Sequence, residues 1–134
     1  VGGIAEGQAL VQHPFAKAVA FTGSHRGGMA LFELASRRPE PIPVYAEMGS
    51  VNPIFTFEKK LEKDITGYAK SFIASLTLGV GQFCTNPGLI FVPRSQEAAF
   101  SAAIKAELEE IAAAPMLHEG IASAYYDALQ YLQS

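Results

Sequence analysis

The chain has 134 residues, 49% of them hydrophobic and 17% charged, with a formal net charge of −3 and a pI of about 5.6. That balance suits a globular, cytoplasmic protein and excludes a nucleic-acid binder by charge: Lys and Arg form no run, and Arg37-Arg38 is an isolated pair at a helix end, where the dipole favours cations. No apolar stretch reaches the roughly 18 to 20 residues that crossing a bilayer requires, and the N-terminus lacks the basic, apolar, small-residue order of a signal peptide.

In chain order, the first informative stretch is AKAVAFTGSHRGGMALFELASRRPEPIPVYAEMGS. Ala18 to Thr22 is short, apolar and β-capable; Met29, Phe32, Leu34 and Ala35 mark a crowded apolar helix between Gly27 and Arg38, ended by Pro39; Ile42 to Met48 is a second β-rich run. Strand, helix and strand in this order predict a βαβ unit with parallel strands. The turn into its helix reads Thr22-Gly23-Ser24-His25. Ser24 is a suitable N-cap, and unpaired amides at a helix start attract phosphate, although Gly-Ser before a helix is also explained by capping alone.

Val51 to Phe57, interrupted by Pro53, reads as loop or edge strand. Leu61, Ile65, Tyr68, Phe72 and Leu76 recur at three and four, predicting one amphipathic helix stopped by Gly79 and Gly81. A turn-rich connection carrying Cys84 then leads to a strand over Leu89 to Val92. A second long helix starts at Ser95, whose hydroxyl can cap it, and carries Phe100, Ile104, Leu108 and Ile111 up to Pro115. After a turn at Met116 to Gly120, Ile121, Tyr125, Leu129 and Leu132 mark a last helix. These stripes read as core. The fold class is α/β.

Cys84 is the only cysteine, so it forms no internal disulfide and reads as core filler or as chemistry. Its neighbours Gly79, Gly81, Asn86, Pro87 and Gly88 place it in a turn. Phe83 and Asn86 flank it, shaping its surroundings or simply packing the loop. Glu47 stands in a run as apolar as VYAEM, where a buried carboxylate is uncommon and invites a functional reading beside that of a strand-end residue. His13, before Pro14 at a helix end, reads as structural; His25 and His118 sit in turns without ligand spacing, so no metal is expected. Arg26 is within reach of a phosphate at this helix start, but such an Arg is more often a solvated helix-start residue and is left out of the candidate site.

FTGS at 21–24, AEMGS at 46–50 and GQFCTNPG at 81–88 resemble, in order and spacing, the aldehyde dehydrogenase superfamily, and HPFAKAVAFTGS from His13 fits the same pattern. PIPVYAEMGSVNPIF, SLTLGVGQFCTNPG and MLHEGIASAY are most similar to its α-ketoglutarate semialdehyde (2,5-dioxopentanoate) and NADP-dependent fatty-aldehyde branch. The likeness covers essentially all 134 residues but only the middle of the family's longer polypeptide, so an internal fragment is expected. Residues 1–48 would complete a Rossmann-like nucleotide-binding domain, and 49–134 would begin the catalytic domain. The resemblance implies an NAD or NADP cofactor, with Cys84 as catalytic nucleophile and Glu47 as general base. It implies that Gly23 and Ser24 lie against the pyrophosphate and that Met48 and Gly49 lie near the nicotinamide. Ser50 stands where the family commonly has a second glycine. The family's oxyanion-hole asparagine and its ribose-binding residues fall outside positions 1–134. The implied partners are a small-molecule aldehyde and further copies of the chain, with neither nucleic acid nor membrane. A non-catalytic assembly module that keeps the motifs as ancestry is the alternative; a cysteine hydrolase lacks a supporting histidine.

Overall fold

The computed structural model describes residues 2–134, which divide into two compact units that meet between Ser50 and Val51 in the sequence. Among the described residues no helix is long and apolar enough to cross a membrane.

In the first unit, helix α1 (Ile4–Gln12) is followed by strand β1 (Val19–Thr22), helix α2 (His25–Ser36) and strand β2 (Val44–Glu47). The strands pair in parallel, with Val19 opposite Val44 and Thr22 opposite Glu47, as the βαβ reading expects. Val19, Phe21, Val44 and Ala46 turn to the half-buried face, and the residues between them face out. Ser24 caps α2 as expected: its Oγ accepts from the Gly27 N–H at 3.1 Å. Helix and sheet approach closely at Gly28, which is buried; a Cβ there would come within 2.7 Å of Met48 Sδ and 3.4 Å of Ala46 Cβ.

The start of α1 is held by Glu6, whose Oε2 accepts from the Gly3 N–H at 2.7 Å. Its own main-chain N–H and that of Gly3 keep the Glu6 carboxyl below the usual carboxylate range. The far end of α1 depends on Arg38. Its guanidinium donates to the carbonyls of Val11, His13 (2.8 Å) and Ala16 (3.1 Å), so a residue expected only to complement the α2 dipole also gathers the carbonyls at and beyond the α1 terminus. His13 is structural, its Nδ1 accepting from the Phe15 N–H at 3.2 Å.

The second unit contains β3 (Pro53–Phe55), α3 (Glu58–Lys63), α4 (Ile65–Thr77), a 3₁₀ turn (Leu78–Gly81), β4 (Leu89–Phe91), α5 (Glu97–Glu109) and α6 (Glu119–Gln133). β3 and β4 pair in parallel, Ile54 opposite Ile90, and Pro53 takes the first strand position, where its missing N–H is tolerated. Across this pair the rings of Phe55 and Phe91 stack at 4.8 Å. Leu61, Ala69 and Phe100 form the core, with Ile65, Tyr68, Ile90, Val92, Ala103 and Ile104 packed around them. Buried Thr56 shares a hydrogen bond of 3.0 Å between its Oγ1 and the Tyr68 hydroxyl.

Four expectations are corrected. The single helix through Leu61 and Leu76 is two, broken at Asp64, whose φ of −166° is extended and whose Oδ1 caps α4 through the Gly67 N–H at 2.8 Å. Ser95 does not cap α5. Its Oγ donates to Glu58 Oε1 at 2.9 Å, and α5 begins after a 3₁₀ turn at Arg94–Gln96. α5 ends at Glu109 rather than near Pro115, with the Ile111 N–H turning back to Leu108 O; Glu107, Glu109 and Glu110 oppose the dipole at that end. The stripe of α6 is not core: Ile121 and Leu129 are half-buried, while Tyr125 and Leu132 are exposed.

Replacing Arg38 by Ala should lower unfolding free energy by about 2 to 3 kcal/mol in urea titrations, since hydrogen bonds from a charged donor are lost while carbonyls stay behind. Arg38→Lys should restore only part, because an ammonium lacks the planar fork. Loss below about 0.5 kcal/mol would mean the guanidinium is idle.

Candidate functional site

Five of the six proposed site residues gather in the first unit at the carboxyl ends of its strands. Gly23 follows β1, Glu47 ends β2, and the Gly23 N–H donates to Glu47 O at 3.1 Å, closing the strand pair there. This is the edge at which open parallel sheets bind ligands. Ser24 and Gly23 are exposed beside the α2 N-terminus, where the first-turn amides face away from the helix ladder. Met48 turns its side chain onto Gly28, leaving its backbone and that of Gly49 at the strand exit; nothing lies within 4 Å of where a Gly49 Cβ would stand.

Glu47 is exposed, and the expectation of a buried carboxylate is corrected. The alternation along VYAE explains it: Val44 and Ala46 occupy the inward register, so the acid falls on the outward one and incurs no burial cost.

Next to this edge lies a cavity of about 610 Å³, lined by Ile4, Gly7, Phe21, Ser24, Arg26 and Leu31 among others. Its size lies in the range of small-molecule sites, and its lining combines apolar walls with a helix N-terminus and one cation. These residues fit a dinucleotide, whose flat base needs apolar walls and whose phosphates need amides. Reading the residues alone missed α1 as one wall of this cavity; Arg26 is exposed at the start of α2, as read, and also borders the cavity. Ile4 and Leu31 are far apart in sequence, and they form a wall only once the two helices are placed.

Cys84 lies in the second unit and is exposed, on the connection entering β4. The Asn86 N–H donates to Phe83 O at 3.1 Å, which makes Phe83–Asn86 a β-turn with Cys84 at its first corner. The preceding segment is unusual: Gly79, Val80 and Gly81 have φ of 61°, 59° and 71°, a run of left-handed residues in which the β-branched Val80 is costly. A Cβ at Gly79 would come within 2.7 Å of the Phe83 ring, so Phe83 covers this turn and packs the loop.

Polar staples hold the turn at both ends. Asn86 Nδ2 donates to Leu76 O at 2.8 Å and Leu78 O at 2.9 Å, satisfying carbonyls at the end of α4. Asn52 Nδ2 donates to Cys84 O at 2.6 Å and Asn86 O at 3.0 Å. The Gly88 N–H closes onto Val51 O at 2.7 Å, and Gln82 Oε1 accepts from the Leu117 N–H at 3.0 Å. Asn86 was read as a flanking residue and Asn52 was not singled out; nothing in the sequence connects positions 52 and 84. Among the described residues no three His, Cys, Asp or Glu side chains gather closely enough to hold a metal ion.

In the first unit, then, a helix start and strand ends border a ligand-sized cavity; in the second, a thiol stands on a braced turn. Comparison with known proteins matches residues 1–124 to the model of the aldehyde dehydrogenase family. The alpha-ketoglutaric semialdehyde dehydrogenase 2 of Azospirillum brasilense is 50% identical over 120 residues, covering 89% of this chain and 23% of that protein. The alpha-ketoglutaric semialdehyde dehydrogenase of Acinetobacter baylyi is 42% identical over 129 residues, covering 94% of this chain and 24% of that protein. The chain thus spans about a quarter of the length of these relatives. Among solved structures, a variant of proline utilization A from Bradyrhizobium japonicum superposes on 98% of this chain and 14% of that one, with a TM-score of 0.87 at 20% identity, a likeness of fold. Aldehyde dehydrogenase C from Pseudomonas syringae, solved with NAD+ and octanal, covers 78% of this chain and 21% of that one, with a TM-score of 0.70 at 25% identity. With the family's model matching nearly the whole chain and α/β folds of the same kind among its structural neighbours, this chain belongs to the aldehyde dehydrogenase family.

Proposed function

We propose that this chain carries the nucleophile, the general base and part of the cofactor site of an NAD- or NADP-dependent aldehyde dehydrogenase, with residues 1–48 completing the nucleotide-binding domain and 49–134 beginning the catalytic one. The observation that carries the reading is the exposed thiol of Cys84 at a β-turn corner in a chain of this family. The names of these two semialdehyde dehydrogenase relatives support a keto-acid semialdehyde such as 2,5-dioxopentanoate as substrate.

Cys84 attacks the aldehyde carbonyl as thiolate, forming a carbon–sulfur bond and an oxyanion toward which its own main-chain N–H is the local donor. The bound dinucleotide supplies the hydride acceptor. Loss of the carbonyl hydride leaves a thioester on Cys84. Glu47, exposed at the end of β2, takes a proton from water; the hydroxide attacks the thioester carbon, the carbon–sulfur bond breaks, and carboxylate leaves with the thiol restored. Gly23 and Ser24 offer the α2 N-terminus to the pyrophosphate, and Met48 and Gly49 border the nicotinamide. Apolar residues left exposed, including Phe55, Phe57 and Tyr131, support burial against further copies of the chain or further polypeptide.

In protein containing these residues, Cys84→Ala should abolish aldehyde-dependent reduction of NAD+ or NADP+. Glu47→Gln should lower steady-state turnover by about 10² or more while still releasing a burst of reduced dinucleotide close to one per chain. Dinucleotide binding, read by calorimetry, should change the rate at which iodoacetamide alkylates Cys84. A thiol no more reactive than free cysteine, indifferent to either dinucleotide, would leave the chain an assembly module.

Glu47→Gln without a burst would remove the hydrolytic role of Glu47.

A further inference from the structure

The Cys84 turn is held by a residue that the reaction scheme does not use. A β-turn corner leaves its carbonyl without a ladder partner, and the carbonyls of Cys84 and Asn86 lie on one such turn. Both are taken by one amide, Asn52 Nδ2, at 2.6 and 3.0 Å. Asn52 is itself in the left-handed region with φ of 47°, a conformation that Asn tolerates better than most side chains, and it directly precedes Pro53 of β3. The clamp therefore runs from a strand start, tied through β4 to the unit's core, to the peptide that carries the thiol.

We propose that Asn52 is the positioning residue of the Cys84 thiol. By holding the Cys84 carbonyl it restrains the peptide between Cys84 and Thr85, and by holding the Asn86 carbonyl it helps keep the turn closed. Asn86 anchors the other side on the end of α4, so the two asparagines brace the corner from separate elements. The energetic logic favours a polar clamp here. The loop contains left-handed residues and an exposed thiol, so burial contributes little to its position, and directional hydrogen bonds to its carbonyls supply a constraint. This inference rests on the reading of Cys84 as nucleophile.

Carbon-13 on the cysteine carbonyl together with nitrogen-15 on threonine selects the peptide between Cys84 and Thr85, which allows a direct test in protein containing these residues. Asn52→Asp keeps the shape and removes the donor; Asn52→Gly removes the side chain and keeps the left-handed backbone. In both, the 13C signal of the Cys84 carbonyl should move and broaden, and iodoacetamide alkylation should slow about fivefold or more toward the rate of free cysteine. An unmoved signal, or variants that alkylate as fast as the parent, would overturn the proposal. Should both variants lose their far-UV circular dichroism, the unaltered chain decides: side-chain amide protons of Asn52 should exchange well below the rate of exposed Gln8, and equal rates would overturn the clamp. A parent thiol no faster than free cysteine would sink the nucleophile reading, and the carbonyl signal would still decide the clamp.

Discussion

Parallel pairing is the constraint on which the rest of the molecule depends. A parallel pair cannot be closed by a hairpin, so the chain must return to the same end of the sheet before the second strand begins. In the first unit α2 makes that return, and between β3 and β4 it is made by α3, α4 and the cysteine-bearing turn. The two crossovers have opposite consequences for chemistry. Gly23, Ser24, Glu47, Met48 and Gly49 collect where strands end and a helix begins, among unpaired amides suited to anions. Cys84 falls where a strand is entered, with no helix start to support it, and its surroundings are built from side-chain amides and turns.

The first arrangement was legible in the sequence, because each of its parts is local. Short apolar, β-capable runs marked β1 and β2, Gly-Ser announced the cap, and the apolar helix between them completed the βαβ order. The break at Asp64 was not legible from spacing, since Leu61 and Ile65 continue the apolar stripe across it and both ends bury apolar residues in one core. The clue was chemical: Asp64 stands three residues before Gly67, whose N–H it accepts, and capping outweighed continuity. Ser95 misled in the opposite direction. It has the chemistry of a cap, but Glu58, close only in space, offers its hydroxyl a charged acceptor.

The candidate site shows the same division. Exposure of Cys84 followed from its Gly- and Pro-rich neighbours, and the apolar run around Glu47 misled because alternation, rather than mean polarity, decides which side of a strand is buried. Asn52 could not be found from sequence, because its value lies in reaching carbonyls 32 and 34 positions away. A polar residue between Val51 and Pro53 reads as ordinary loop until the turn it spans is known.

These features explain why a chain with so few charges spends three amide side chains on one loop. Three consecutive residues in the left-handed region cost conformational energy that the core near Leu61 does not offset, because Gly81 to Thr85 are exposed. What opposes that cost is a set of hydrogen bonds from the side chains of Asn52, Gln82 and Asn86 to main-chain carbonyls of the loop and of the end of α4. Such bonds are directional where burial is not, so they fix orientation as well as proximity. A thiol that must meet a carbonyl along one line of approach needs orientation more than it needs burial, and the braced turn supplies it while leaving the sulfur exposed.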